Sequence, residues 1–169
     1  PARTQADGKP ILLPEQNRAR WDRLQIQRGL QALARAILLG GGDGMYALQA
    51  ALAACHARAR RFEDTDWATI AALYARLMEV APPPVVELNR AVAVGKAQGP
   101  QAALPIVEAL AATPKLQDYA PLHAVRGDLL QQLGRSGEAH GEFTRAAGLT
   151  GNAREREVLL ARAAACGGD

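Results

Sequence analysis

Residues 127–146 read GDLLQQLGRSGEAHGEFTRA, and the spacing of small residues in this stretch decides the fold. Gly127 is a small residue inside one helical segment, and Gly134 supplies the turn. Ala139 is the small residue of the next segment, followed one turn on by Phe143 and then by Ala146. That order describes a helical hairpin whose two backbones approach closely, since a bulky side chain at either small position would hold them apart. The same order occurs upstream as Ala91, Gly99, Ala103 and Val107. The differences 127 − 91, 139 − 103 and 143 − 107 all equal 36, so the hairpin is a repeat.

Repeats of about 34 residues with this layout are of the tetratricopeptide type, in which each hairpin buries its apolar face against the next. The chain is therefore expected to be all-α: stacked tetratricopeptide-like hairpins in a right-handed α-solenoid of about seven to eight helices. A low aromatic content of 4% suits close helix packing and argues against a β-sandwich.

Working outward, residues 136–149 and 121–133 form the best hairpin, and residues 85–97 and 101–111 the one before it. A last helix is expected near 152–165. Residues 45–82 read as a degenerate first repeat, with helices over 45–60 and 67–80, and Asp66 as the N-cap of the second. Gly40-Gly41-Gly42-Asp43-Gly44 ends an earlier helix expected over 15–38, whose Ile26, Leu30, Leu33 and Ile37 share one face. Residues 1–14, with Asp7-Gly8, Pro10 and Pro14, read as an irregular arm with a short extended piece at 11–13; residues 15–169 form the helical domain, frayed at 167–169.

Charge and cysteine content narrow the function classes. The net charge is +3, with seven Lys/Arg against three Asp/Glu in residues 1–40 and thirteen against fourteen in the rest. That is too sparse a basic stripe for a nucleic-acid-binding domain, so this fragment is expected to hold duplex DNA only weakly. Cys55 and Cys166 have no CxxC partner, which excludes the usual zinc spacings and a disulfide framework and fits a reduced, cytoplasmic setting. No apolar run approaches the roughly 18 residues of a membrane span. His56, His123 and His140 are widely separated, and no Ser or Cys nucleophile adjoins a base in sequence. No enzyme, cofactor or metal is expected.

One block stands apart. Glu15-Gln16-Asn17-Arg18-Ala19-Arg20-Trp21-Asp22 concentrates polar and charged groups where a helix start needs only one or two apolar contacts. Gln16, Arg18, Arg20, Trp21 and Asp22 are the first candidates for a partner or interdomain surface, with Arg18 and Asp22 four apart on one helical face. Asn89 and Arg90, on the first helix of the middle hairpin, form a second candidate surface, because such helices line the concave side of tetratricopeptide stacks.

The blocks ILLPEQNRARWD (11–22), MYALQAALAACH (45–56), EDTDWATI (63–70) and APPPVVELNRAVAV (81–94) occur in an order that resembles one group of bacterial proteins. These are extracytoplasmic-function (ECF) RNA polymerase sigma factors, of the sigma-70 family, that carry a tetratricopeptide-like C-terminal extension. Gln16, Arg18, Arg20, Trp21 and Asp22 match that group's first block; Asn17 and Ala19 replace an acid and a hydroxyl. The resemblance implies a C-terminal regulatory domain, linked by its arm to N-terminal sigma domains outside this chain. Those domains would bind core RNA polymerase and read promoter DNA, with no membrane involved. The competing expectation is a free-standing tetratricopeptide adaptor that binds a peptide or protein partner.

Overall fold

The computed structural model describes residues 11, 13–80 and 83–167, and of residue 115 the backbone alone. Among these residues there are eight α-helices, three short 3-10 turns and no strand. The helices are α1 (Arg23–Leu38), α2 (Met45–Arg58), α3 (Trp67–Val80), α4 (Pro84–Gln98), α5 (Pro100–Ala111), α6 (Ala120–Gln132), α7 (Ser136–Leu149) and α8 (Ala153–Cys166). The chain divides into two compact units, Pro1–Ala81 and Pro82–Asp169. In each unit, helices adjacent in sequence pack on one another, which is the connectivity of stacked hairpins.

The second unit follows the repeat. Ala91, Ala103, Val107, Ala139, Phe143 and Ala146 are all fully buried, as the shared offset requires. Gly99 and Gly134 hold the two turns with φ of +95° and +74°, a region in which a side chain would be strained. Gly127 lies against Phe143, whose ring carbon Cε1 would be only 2.7 Å from a Cβ at that position. A Cβ at Gly95 would likewise lie 3.2 Å from the Ala103 Cβ and 3.3 Å from a methyl of Leu129. Helix α8 begins where Asn152 caps it, accepting from the amides of Arg154 and Glu155.

The first unit comprises α1, α2 and α3. Asp66 precedes α3 and accepts from the Thr69 amide at 2.9 Å, as its sequence position predicts. Leu48, Leu52, Ile70, Leu73 and Leu77 make the core between α2 and α3, while α1 buries only Leu33. The expected helix over 15–38 is shorter than its reading. It starts at Arg23, after 3-10 turns at Leu13–Glu15 and Arg18–Arg20. Two capping side chains cause the delay: Asn17 accepts from the Ala19 amide and Asp22 from the Gln25 amide. Most of the expected arm at 1–14, including residue 12 of its extended piece, and residues 168–169 of the expected frayed end lie outside the described residues. Gly167 is described, and its amide closes α8 on the carbonyls of Ala163 and Ala164.

Candidate functional site

The block at 16–22 is built around a buried arginine. Arg18 is only 3% exposed, and its guanidinium is taken up by the fold. Nη1 donates to the carbonyls of His56, at 2.9 Å, and Ala59, at 3.2 Å. Nη2 donates to the Thr65 hydroxyl at 3.2 Å. The Trp21 and Phe62 rings lie beside it, with centroids 5.1 Å and 5.8 Å from Cζ. Removal from water lowers the Arg18 pKa, and the carboxylates of Glu63 and Asp64 act in the opposite direction. A guanidinium stays charged through such a shift. The cation thus ties the segment before α1 to the end of α2 and to the loop that follows it.

An aromatic cluster closes the other side. The Trp67 ring meets His56 and Phe62 edge-on, each centroid 5.4 Å away. Burial, and after it the nearby Arg18 charge, pushes the His56 imidazole below its ordinary range, so the ring is neutral at physiological pH. Arg18 Nε, Trp21 Nε1 and His56 Nδ1 are buried without a hydrogen-bond partner among the described residues.

The other candidates of this block serve different ends. The Gln16 amide donates to the Ile11 carbonyl at 3.0 Å. Asp22 is the α1 cap and makes no helical pair with Arg18, because Arg18 precedes the helix and points inward. Trp21 is half-buried, while Arg20 is exposed. On α4, Asn89 is exposed, and Arg90 is held by a bidentate pair with Glu87 at 2.6 and 2.8 Å. The structure therefore gathers Arg18 and Trp21 into one cluster, keeps Gln16 and Asp22 as local supports, and leaves Arg20 and Asn89 facing outward.

Sequence reasoning missed Thr65 and the two carbonyls that hold Arg18. Thr65 is 5% exposed, and its position between two aspartates gives no hint of that burial. A backbone carbonyl has no sequence signature at all.

Beside this cluster, an open cleft of about 400 Å³ is lined by Cys55, Arg58, Arg60, Asp64, Asp66 and Thr69, among others. Burial, and then the Asp66 charge, pushes the Cys55 thiol up, so no thiolate is available there near neutral pH. The Thr69 hydroxyl and amide hold the Asp66 carboxyl below its usual value. The cleft offers hydrogen bonds and charges of both signs, without an activated nucleophile. Among the described residues no cluster of His, Cys, Asp and Glu is placed to hold a metal ion, and no helix is long and apolar enough to cross a membrane.

Residues 1–37 match a family described as a family of unknown function (DUF6596). An uncharacterized protein of Rhizobium meliloti (strain 1021) is 47% identical over 158 residues, a match that spans 94% of this chain and 37% of the relative. The chain thus spans little more than a third of the curated relative that it matches. No solved structure matches the chain.

Proposed function

We propose that these residues are the C-terminal regulatory domain of an extracytoplasmic-function RNA polymerase sigma factor, a protein-interaction domain that modulates transcription initiation. Its partners are the promoter-binding sigma domains of the same polypeptide and core polymerase, and its setting is the cytoplasm. The observation that carries this reading is the ordered set of four blocks at 11–22, 45–56, 63–70 and 81–94. The similar Rhizobium meliloti protein adds support, because there the matching stretch accompanies a longer polypeptide. Arg20 in the first unit and Asn89 in the second each offer an outward contact, and Arg18 with Trp21 fixes the shape of the surface that bears Arg20. The mechanism is conformational: contacts of the helical domain bias the promoter-binding domains between idle and polymerase-competent arrangements.

Co-purification tests this. The native polypeptide that carries these residues, tagged and isolated from its host, is expected to bring down core polymerase and to support run-off transcription from a cognate promoter. Deleting the region 15–169 is expected to change transcript yield. A polypeptide that binds no core polymerase would refute the reading. A free-standing adaptor that binds a peptide or protein partner is the second reading, favoured by the repeated hairpins of α4–α5 and α6–α7.

A further inference from the structure

A groove of about 320 Å³ runs between α1 and α2, lined by Ile26, Gly29 and Leu30 on one side and by Ala50, Ala53 and Ala57 on the other. Its one polar lining residue is Gln25. The small residues of α2 and Gly29 leave room that the described residues of their unit do not fill: among these, a Cβ at Gly29 would meet nothing within 4 Å. Ile37 continues the Ile26–Leu30 face and is 55% exposed; beyond it Leu38, Leu39 and Tyr46 are exposed by 87%, 77% and 79%. Large apolar residues left exposed on both sides of one turn, beside an apolar groove, mark an interaction site.

The charges around it select the occupant. Neither α1 nor α2 contains an acidic residue, while they carry Arg23, Arg28, Arg35 and Arg58. Arg23 lies one turn before Ile26, and Arg58 follows Ala57, so both cations flank the same end of the groove without lining it. Arg23 also donates to the Arg18 carbonyl, and Arg58 is exposed and also borders the cleft that holds Asp64 and Asp66. Asp43, in the turn between the helices, is paired with Arg76. All of the chain's net charge sits in this unit: residues 1–81 hold eleven Lys/Arg against eight Asp/Glu, and the remainder nine against nine. A second copy would bring its own acid-free helices against these arginines, so self-association is opposed by like charge. An apolar lining gives nucleic acid nothing to bond.

We propose that the α1–α2 groove is a docking site for an acidic amphipathic helix of a separate polypeptide. Its apolar stripe enters between Ile26, Leu30 and the α2 alanines, and its carboxylates meet Arg23 and Arg58. This is the helix-in-groove mode of peptide recognition. It goes beyond the proposed role in transcription, and its test reads binding with no polymerase present, so the two can fail separately.

The probe is a synthetic peptide of about 18 residues, with Leu at positions i, i+3, i+4 and i+7 and Glu on both flanks, long enough to form a helix. It is titrated calorimetrically into the 169-residue chain beside a twin in which Lys replaces Glu. The Glu peptide is expected to bind about tenfold or more tightly than the Lys peptide. Gly29→Leu places its Cβ where nothing among the described residues lies within 4 Å and extends a side chain from the groove wall. It is expected to weaken the Glu peptide about tenfold, with an unchanged circular dichroism spectrum. Arg58→Glu is expected to narrow the preference between the two peptides. Equal binding of both peptides would overturn the proposal, as would undiminished binding by a folded Gly29→Leu chain. So would binding to anionic phosphatidylglycerol vesicles without binding to the peptide, or a dimer in sedimentation that Gly29→Leu abolishes.

Discussion

The Arg18 guanidinium donates to the Thr65 hydroxyl across 47 residues of sequence, at 3.2 Å, and in doing so fastens the start of the first unit to the loop before α3. With the carbonyls of His56 and Ala59 it satisfies three acceptors from one side chain. A lysine at this position has no such planar fork and could serve fewer of them at once. The relationship changes what the two arginines of the block at 15–22 are expected to do. As an exposed pair they would be exchangeable; in the structure one is an internal brace and the other an outward-facing group.

Arg18→Ala is therefore expected to destabilise the first unit by about 3 kcal/mol, since three acceptors lose their donor in a dry setting. Arg20→Ala should leave the denaturation midpoint nearly unchanged, as exposed substitutions away from special features do. Chemical denaturation of the two single variants separates them. Equal, small effects of both would show that Arg18 does not brace the fold.

Gly127→Ala tests the close approach in the second unit. The added methyl would lie 2.7 and 2.8 Å from Cε1 and Cδ1 of Phe143, well inside contact distance. That ring is fully buried, and the Arg162 guanidinium lies 4.2 Å from its centroid, so it has little freedom to retreat. Overpacking of this kind costs about 1–3 kcal/mol, against a helix-propensity gain of about 0.5–1. The net expectation is a loss, partly recovered in the double variant with Phe143→Leu. Gly141→Ala, whose Cβ meets nothing within 4 Å, should instead raise stability by about 0.5–1 kcal/mol. If Gly127→Ala behaved like Gly141→Ala, the close packing would be refuted.

These cases also show which parts of the molecule sequence patterns reveal. The hairpins of the second unit are legible because close helix packing must be written in small residues at fixed positions, and Ala91, Ala103, Gly127 and Ala139 are those residues. The start of α1 is misread because Arg, Gln and Ala favour a helix, whereas Asn17 caps a short 3-10 turn and Asp22 then caps α1 itself, which postpones the helix to Arg23. Both caps were visible as residue types, and two such residues five positions apart were the available signal. The inward turn of Arg18 is illegible for a different reason: two of its acceptors are carbonyls 38 and 41 residues away, which any residue could supply.

A pH dependence follows from His56. Burial first, and the Arg18 charge second, hold its imidazole below the ordinary range in the folded protein. The unfolded chain takes up this proton near pH 6.5, so below that pH the unfolded state binds more protons than the folded one. The contribution of His56 to stability is then constant above about pH 6.5 and falls as the pH drops toward the folded pKa. Asp64 and Asp66, whose carboxyls are held low by Arg61 and Thr69 respectively, add losses only at more acidic pH. His56→Phe is expected to flatten the midpoint between pH 7 and 5. An equally steep profile in that variant would assign the effect elsewhere.

Glu142 offers the last test, because one carboxylate on α7 serves two partners on α6. Its Oε2 lies 2.8 Å from His123 Nδ1, and its Oε1 accepts from Arg126 Nη1 at 2.7 Å, joining α7 to α6 twice. The other ring nitrogen of His123 lies 2.8 Å from the Gln117 carbonyl, which also accepts from Arg145 at 3.0 Å. His123 is 4% exposed, so water cannot easily replace the carboxylate on its ring. Glu142→Ala should then cost about 2–3 kcal/mol, chiefly by leaving His123 and Arg126 without their acceptor. Arg126→Ala removes one of the same bonds, and the two changes made together should cost less than their sum by about 0.5–3 kcal/mol. Denaturant titration of the wild type, both single variants and the double variant measures that coupling. Strict additivity would mean that Arg126 and Glu142 act independently, and that the carboxylate joins α7 to α6 through His123 alone.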